Sequence, residues 1–348
     1  MSKNYRLICA AWACSVMCIS LRLTAAAEAK PTLKVYTYDS FVAEWGPGPD
    51  LKRSFEGECA CVLQWVPVAD GAAMLARLQV EGNSTKADVL LGIDDTLQVV
   101  AEKTGMFEES GIKLSNSLIP GGYVVSSKFV PYDFGYYAFM FDTKAKRKSG
   151  KPFVRPKSMD ELLAEPGLDR SIIIQDPRTS APGLGLLLWF HALYGQDANK
   201  KLEILTKKVL TVGNGWSDSY NLFIKGEAPI VFSYTTSEAY HRESEKTDRY
   251  QVLHFAEGHY LAIETAAIVK TSKQKALATK FLNFLIQAQS QATIASKNWM
   301  YPVTGVKKGL PAAYKALKTP AKSLRISPEE VDKHRREWTL QWMEAFKK

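Results

Sequence analysis

The sequence predicts an α/β protein with two lobes, mainly parallel sheets and a ligand cleft between the lobes. Short apolar strands alternate with amphipathic helical patterns along most of the chain, as in parallel β-α-β units. About 320 residues follow a predicted leader, which is more than one hydrophobic core usually covers. Two apolar stretches, 131–139 and 261–269, have the pattern of continuous strands rather than linkers. The chain is therefore expected to cross between the lobes twice.

The N-terminus predicts export. Lys3 and Arg6 precede a mostly apolar run at 7–19, and small residues at 25–29 offer a cleavage site. Residues 1–29 are therefore interpreted as a signal peptide. The apolar run is too short to suit a membrane-spanning helix, so the mature chain is expected to be exported and soluble.

The charge of the chain is modest. The predicted signal carries a net +2 of the formal +9, and the remaining +7 is spread over separate pairs such as Lys207 and Lys208. There is no sustained basic run and no nucleic-acid motif, so no nucleic-acid partner is expected.

The cysteines left in the mature chain form one close pair. Cys9, Cys14 and Cys18 lie in the predicted signal, whereas Cys59 and Cys61 remain, separated by one residue. An even pair in an exported protein suggests a possible disulfide, although so short a ring leaves free thiols as the alternative. No metal site is predicted, because no other ligand accompanies the pair at a metal-binding spacing.

The secondary-structure prediction follows the apolar periodicity and the helix caps. Predicted strands cover 32–37, 62–66, 88–93, 136–141, 171–175, 230–234, 252–255 and 262–269. Predicted helices cover 72–81, 159–164, 184–193, 217–225, 274–286 and a last helix that starts at Ser327-Pro328 and runs towards Phe346. The expected organisation is a first lobe of 30–133 plus 265–310, a second lobe of 134–264, and C-terminal helices at 311–348 that pack on the lobes.

The turn between the predicted strand 171–175 and the next helix has the features of an anion site. Ser180 stands at the helix start and Pro182 in its first turn. Free backbone N–H groups and the helix dipole favour an anion there. The alternative is plain capping by Ser180, and both interpretations remain open.

Aromatic residues occur in four separate loops. Tyr38 and Trp45 follow the first strand, and Trp216 precedes a helix. Tyr234 ends a strand, and the motif around Trp299 interrupts a polar helix. Each ring can serve packing alone. Rings around a carboxylate, however, make a site for an organic cation. That carboxylate can be Asp70, whose other possible role is to cap the helix that follows it. The chain carries no hydrolase, P-loop or dinucleotide motif.

At these residues the sequence resembles the bacterial periplasmic thiamine-binding proteins, the substrate-binding components of thiamine ABC transporters. The motifs that carry the resemblance extend over most of the mature chain, at 35–41, 176–180, 233–237 and 298–302. The resemblance implies a type II periplasmic binding protein fold that closes on thiamine, thiamine monophosphate or thiamine diphosphate. It also implies a monomer in the periplasm, with an inner-membrane permease as partner, no cofactor and no enzyme activity.

The resemblance also implies the ligand-binding residues of each lobe. From the first lobe they are Asp70, Gly71, Tyr38, Trp45 and Trp299. From the second lobe they are Ser180, Ala181, Trp216, Tyr234, Thr235, Thr236, Ser237, Glu238 and Tyr240. Ala181 departs from a hydroxyl residue common in the family, so only its backbone can contribute. Glu238 stands where a proline is often found, which puts the geometry of that turn in doubt.

Three other functions compete with this hypothesis. A ferric-ion receptor of the same fold needs adjacent tyrosines at the cleft, whereas Tyr234 is followed by Thr235. A polyamine receptor needs several carboxylates, of which only Asp70 and Glu238 are evident. A thiaminase-like enzyme needs a cleft cysteine, and only Cys59 and Cys61 are available.

Overall fold

The computed structural model describes residues 29–121, 123, 126–147, 149–306 and 309–347. The signal peptide predicted at residues 1–29 lies outside the described residues, except for residue 29. The described strands are β1 Thr32–Tyr38, β2 Val62–Val68, β3 Val89–Asp94, β4 Phe129–Asp142, β5 Ile172–Gln175, β6 Val209–Gly213, β7 Ile230–Tyr234, β8 Tyr250–Leu253, β9 His259–Ile268, β10 Tyr301–Pro302 and β11 Ser323–Leu324. All eight predicted strands are confirmed.

Helices alternate with these strands, and the predicted helices are confirmed. They are α1 Asp39–Val42, α2 Gly48–Cys59, α3 Gly71–Glu81, α4 Asp95–Lys103, α5 Met159–Ala164, α6 Ala181–Tyr194, α7 Ala198–Lys208, α8 Trp216–Ile224, α9 Ser237–Glu243, α10 Lys275–Leu285, α11 Ala288–Lys297 and α12 Pro328–Lys347. Short 3-10 turns lie at Gly82–Ser84, Pro166–Leu168, Gly195–Asp197 and Ala312–Ala316. No helix of the described residues is long and apolar enough to cross a membrane.

The strands share one mixed sheet, whose main path runs β2-β1-β3-β9-β4-β7-β5-β6. The outer strands pair in parallel, namely β1 with β2 and β3, and β5 with β6 and β7. The central strands β4 and β9 are antiparallel to each other. On their outer sides, β9 pairs antiparallel with β3, and β4 pairs antiparallel with β7. The expectation of mainly parallel sheets therefore holds only for the outer strands. The centre is antiparallel because β4 and β9 carry the chain across the molecule in opposite directions.

The two crossing strands confirm that 131–139 and 261–269 are continuous structure. All fourteen residues of β4 are buried, since the strand is covered on both faces. Register shifts lie opposite each other across β9, at Gly92 of β3 and Tyr132 of β4. Such bulges turn side chains away from the regular alternation and are frequent beside binding sites. The exact lobe boundaries remain predictions.

Helix α6 is apolar on all sides, and its first ten residues are buried. It begins after Ser180, whose hydroxyl accepts a hydrogen bond from Gly183 N–H at 3.3 Å, and ends at Gly195. This is the predicted cap. At the C-terminus, α12 packs against α4, α6 and α7. Cys59 and Cys61 are joined by a disulfide at the end of α2.

Candidate functional site

A cavity of about 260 Å³ lies where several strand ends and helix starts meet. Strands β1, β3 and β7 reach it with their carboxyl ends, through Tyr38, Asp94 and Tyr234. Helices α3, α6 and α8 reach it at or near their N-termini. Carboxyl ends of parallel strands form the usual ligand crevice of open α/β sheets. The fold therefore places this cavity where a ligand is expected.

Most of the predicted ligand-binding residues meet at this cavity. Ten of the fourteen line it: Tyr38, Trp45, Asp70, Ala181, Trp216, Tyr234, Thr236, Ser237, Tyr240 and Trp299. They come from loops up to 261 residues apart in sequence, and the fold brings them around a single space. Their contact with a ligand remains a prediction.

The other four predicted residues do not line the cavity. Gly71 and Ser180 lie behind its wall and hydrogen-bond to Asp70. Thr235 is buried, and its N–H donates to the Tyr136 carbonyl at 2.8 Å. Glu238 points to a different, smaller cavity, where it forms an ion pair with Arg242. Direct contact with the ligand is therefore expected of the ten lining residues, with Gly71 and Ser180 in support.

Asp70 occupies the helix start that the sequence predicted as an anion site. Its carboxylate accepts from Gly71 N–H at 2.7 Å, which caps α3, and from Ala181 N–H and Ser180 Oγ, both at 2.9 Å. Trp216 N–H, at the start of α8, approaches within 3.4 Å. The anion at this turn is thus the protein's own carboxylate. Capping by Ser180 is confirmed, whereas binding of a ligand anion at this turn stays a prediction.

Aromatic rings form much of the cavity wall. Trp216 stacks on Tyr220 with the ring centroids 4.6 Å apart, and Trp45 lies 6.5 Å from Trp216. Trp299 has a positive φ of 55°, a backbone conformation that bulky residues rarely adopt. Its ring lies 5.9 Å from that of Tyr240. Ring faces attract cations, so this wall suits a positively charged heterocycle.

Several lining residues were not predicted from the sequence. The most important are Asp94, Glu264 and Asn298, which add acid and amide groups to the cavity. Glu264 had a signal, since it is the only charged residue inside the apolar pattern of β9. Asp94 also had one, because it ends a buried strand and caps α4. Asn298 sits between two aromatic motifs and gave no comparable signal.

Glu264 is the centre of a hydrogen-bond network below the cavity. Tyr38 donates to its carboxylate at 2.7 Å, and Tyr132 donates to the same oxygen. Asn298 Nδ2 donates to Tyr38 Oη at 2.9 Å and to Asp133 Oδ2 at 2.8 Å. Asp133 lies directly opposite Glu264 in the β4–β9 register. The network therefore joins the two crossing strands to β1 and to the loop after α11.

The pKa values of the acids at the cavity are raised. Burial raises the pKa of Asp70 to about 6, although hydrogen bonds from Ala181 and Ser180 oppose the shift. Burial, followed by the charge of Asp95, raises the pKa of Asp94 to about 8. Burial also raises the pKa of Glu264, against hydrogen bonds from Tyr132 and Tyr38. Burying charge without a counterion explains all three directions.

No basic side chain of the described residues forms an ion pair with Asp70, Asp94 or Glu264. Asp95 shows the contrast, because Arg325 pairs with it at 2.6 Å on the other side of the same turn. Over the described part of the chain, no cluster of His, Cys, Asp and Glu has the geometry of a metal site. The cavity therefore brings acidic groups without a basic partner between aromatic walls.

The fold and this cavity beside two crossing strands define a two-lobed solute-binding protein, as predicted. Over residues 43–292 the sequence matches the bacterial extracellular solute-binding proteins, and the chain belongs to that family. It is 48% identical over 330 residues to the thiamine-binding periplasmic protein of Escherichia coli (strain K12), covering 94% of this chain and 98% of that protein. It is 49% identical over 323 residues to the thiamine-binding periplasmic protein of Brucella suis biovar 1, covering 93% and 94%.

Among solved structures, one described as a periplasmic thiamin binding protein superposes with a TM-score of 0.86 at 47% identity. The superposition covers 91% of this chain and 96% of the chain of that structure. These similarities confirm the resemblance drawn from the four motifs and the predicted location in the periplasm. The matched relatives are binding proteins rather than enzymes.

Proposed function

We propose that this protein is the periplasmic receptor for thiamine and its phosphates and that it delivers them to an ABC transporter permease. The observation that carries the proposal is a set of three acids, Asp70, Asp94 and Glu264, which line an aromatic cavity without a basic partner among the described residues. Asp70 and Asp94 are buried, and Glu264 is partly buried. A permanent organic cation supplies the missing positive charge. The names of the relatives support thiamine as that cation.

The chemistry of thiamine matches the two kinds of group in the cavity. Its thiazolium ring is a permanent cation, which is stabilised by ring faces such as those of Trp216 and Trp299 by roughly 0.5 to 2 kcal/mol each. Its aminopyrimidine carries N–H donors that a carboxylate accepts well. Asp94 and Glu264 are in position to accept them, together with Asp70.

Binding of the phosphorylated forms requires hydrogen-bond donors for the phosphate, and the start of α6 carries such donors. A phosphate at this turn needs the Ala181 N–H and Ser180 hydroxyl that Asp70 now holds. We propose that Asp70 takes up a proton or turns away when thiamine monophosphate or diphosphate binds. A pKa of about 6 makes protonation accessible near neutral pH.

We further propose that the protein has no catalytic function. A thiaminase-like mechanism needs a free thiolate in the cavity. Cys59 and Cys61 are joined to each other and do not line the cavity. Release of the intact ligand to a permease is the function that remains, and closure of the two lobes creates the surface that such a partner reads.

Calorimetric titration of the ligand-stripped mature protein tests this proposal, with thiamine, thiamine monophosphate and thiamine diphosphate in parallel. We expect tight one-to-one binding of all three. Absence of heat for all three in a protein that is folded by circular dichroism would exclude thiamine. Spermidine and ferric citrate should then be titrated, because they represent the competing polyamine and iron receptors.

A further inference from the structure

The carboxyl pair of Asp133, which is buried, and Glu264, which is partly buried, is a feature that ligand recognition alone does not require. The two residues are direct partners in the antiparallel register of β4 and β9. Asp133 is fully buried, and Glu264 is the member of the pair that lines the cavity. The pair therefore lies at the crossing between the two halves of the fold, just below the candidate ligand site.

The hydrogen bonds around the pair leave a place for one proton. Tyr38 and Tyr132 donate to Oε2 of Glu264, and Asn298 donates to Oδ2 of Asp133. Oδ1 of Asp133 is buried and is reached by no N–H or O–H donor of the described residues. The two side chains are direct cross-strand neighbours in the β4–β9 register, where a carboxyl group of one can meet a carboxyl group of the other. A hydrogen bond between two carboxyl groups requires a proton on one of them.

The surroundings of the pair contain no positive charge that stabilises two carboxylates. No Lys, Arg or His of the described residues pairs with either group. The titratable groups that face the pair from the packed elements are neutral phenols or further acids, namely Tyr38, Tyr132, Tyr137, Tyr234, Tyr314, Asp70 and Asp94. Burial, followed by the charge of Glu264, raises the pKa of Asp133 well above its usual range. Two close buried carboxyl groups share one proton for the same reason.

We infer that the Asp133–Glu264 pair holds one proton while the cavity is empty, and that a bound organic cation displaces this proton into solvent. Binding is then an exchange of one positive charge for another, so the buried acids never carry their full negative charge uncompensated. The proton leaves Asp133, Glu264 stays ionised, and the ligand cation takes over the charge balance. This inference rests on the proposed function, since it needs a cationic ligand.

Calorimetry in buffers with different heats of ionisation measures this exchange directly. Thiamine is titrated into the full mature protein at pH 7 in phosphate, imidazole and Tris, and the slope of heat against buffer ionisation heat gives the protons released. We expect release of about 0.5 to 1 proton per thiamine, and an affinity that rises roughly threefold to tenfold per pH unit between pH 6 and pH 8. Binding that is independent of buffer and pH would overturn the inference alone. Absence of thiamine binding would overturn the proposed function as well.

Two variants assign the proton to this pair. Asp133→Asn keeps the shape and can donate permanently to Glu264, so release should fall by at least half. Asp197→Asn is the matched control, because Asp197 is an exposed carboxylate paired with Lys200 far along the chain from the pair. It should release as many protons as the unmodified protein. Unchanged release in Asp133→Asn would refute the assignment. If that variant does not fold, Glu264→Gln takes its place, because it removes the other carboxyl group of the pair, and proton release should again fall by at least half.

Discussion

The Ser180 hydroxyl donates a 2.9 Å hydrogen bond to the Asp70 carboxylate, and this contact joins residues 110 positions apart. It links the start of α3 to the start of α6 across the cavity wall. Because Asp70 also accepts from Ala181 N–H, one carboxylate satisfies donors at two helix starts. Asp70 therefore connects the supporting framework to the candidate ligand site.

The Asp70 carboxylate predicts how the protein ranks phosphorylated ligands. Asp70→Asn keeps a side chain that can cap α3 but removes a negative charge beside the start of α6. We expect the affinity for thiamine diphosphate relative to thiamine to rise about fivefold, from the loss of roughly 1 kcal/mol of repulsion. Parallel calorimetric titrations measure the ratio. An unchanged ratio would show that the phosphates bind away from Asp70.

The aromatic wall predicts a loss of affinity when its rings are removed. Trp216→Ala and Tyr234→Ala should each weaken thiamine binding by at least about 1 kcal/mol, roughly fivefold in Kd. Trp338→Ala is the control, because Trp338 stacks on His191 at a centroid distance of 4.0 Å and does not line the cavity. Its affinity for thiamine should not change. An unaltered Kd in both cavity variants would show that thiamine does not contact this wall.

The buried acid at the end of β3 predicts a pH-dependent stability. The pKa of Asp94 is raised by burial to about 8, above its unfolded value, so the folded state holds the extra proton between about pH 4 and pH 8. The free energy of unfolding of the empty protein should therefore fall as pH rises through this window, by at least about 1 kcal/mol.

Urea unfolding at pH 5 and pH 8 tests this dependence. Asp94→Asn preserves the helix cap and removes the ionisable group, so it should flatten the change, whereas the exposed control Asp197→Asn should retain it. A steeper loss of stability in Asp94→Asn would contradict this account of Asp94.

Close packing behind the cavity predicts opposite effects of two glycine substitutions. A Cβ at Gly71 would lie 2.4 Å from the Gly92 carbonyl oxygen, so Gly71→Ala should reduce the free energy of unfolding by about 1 to 3 kcal/mol and weaken binding. A Cβ at Gly57 of α2 meets no atom within 4 Å. Gly57→Ala should stabilise the protein by about 0.5 to 1 kcal/mol. Thermal unfolding compares the two, and equal melting temperatures would speak against the tight contact.

The position of the disulfide predicts that it has no part in ligand chemistry. Cys59→Ser combined with Cys61→Ser should bind thiamine with the affinity of the unmodified protein, because neither residue lines the cavity. Neither the unmodified protein nor the double variant should consume thiamine in the presence of a nucleophile such as aniline. Turnover by the unmodified protein that is lost in the double variant would establish a thiaminase-like activity instead.

The sequence by itself determined the elements and the general character of the site. Local signals were sufficient for the helix that follows Ser158 and for the strand Ile230–Tyr234, because capping and apolar periodicity depend on neighbouring residues. The aromatic loops around Trp216 and Trp299 were likewise visible as rings in turns, although each ring alone was also compatible with packing.

Only the tertiary structure decided which groups share the site and how their charges balance. Asp70 meets Ser180, and Asp133 meets Glu264, through contacts 110 and 131 positions apart, and no local pattern encodes such pairs. The antiparallel centre of the sheet has the same origin, since strand direction follows from the path of the whole chain. The pKa values of the cavity acids are raised by burial, and this burial exists only once the two crossing strands and the helix starts have come together.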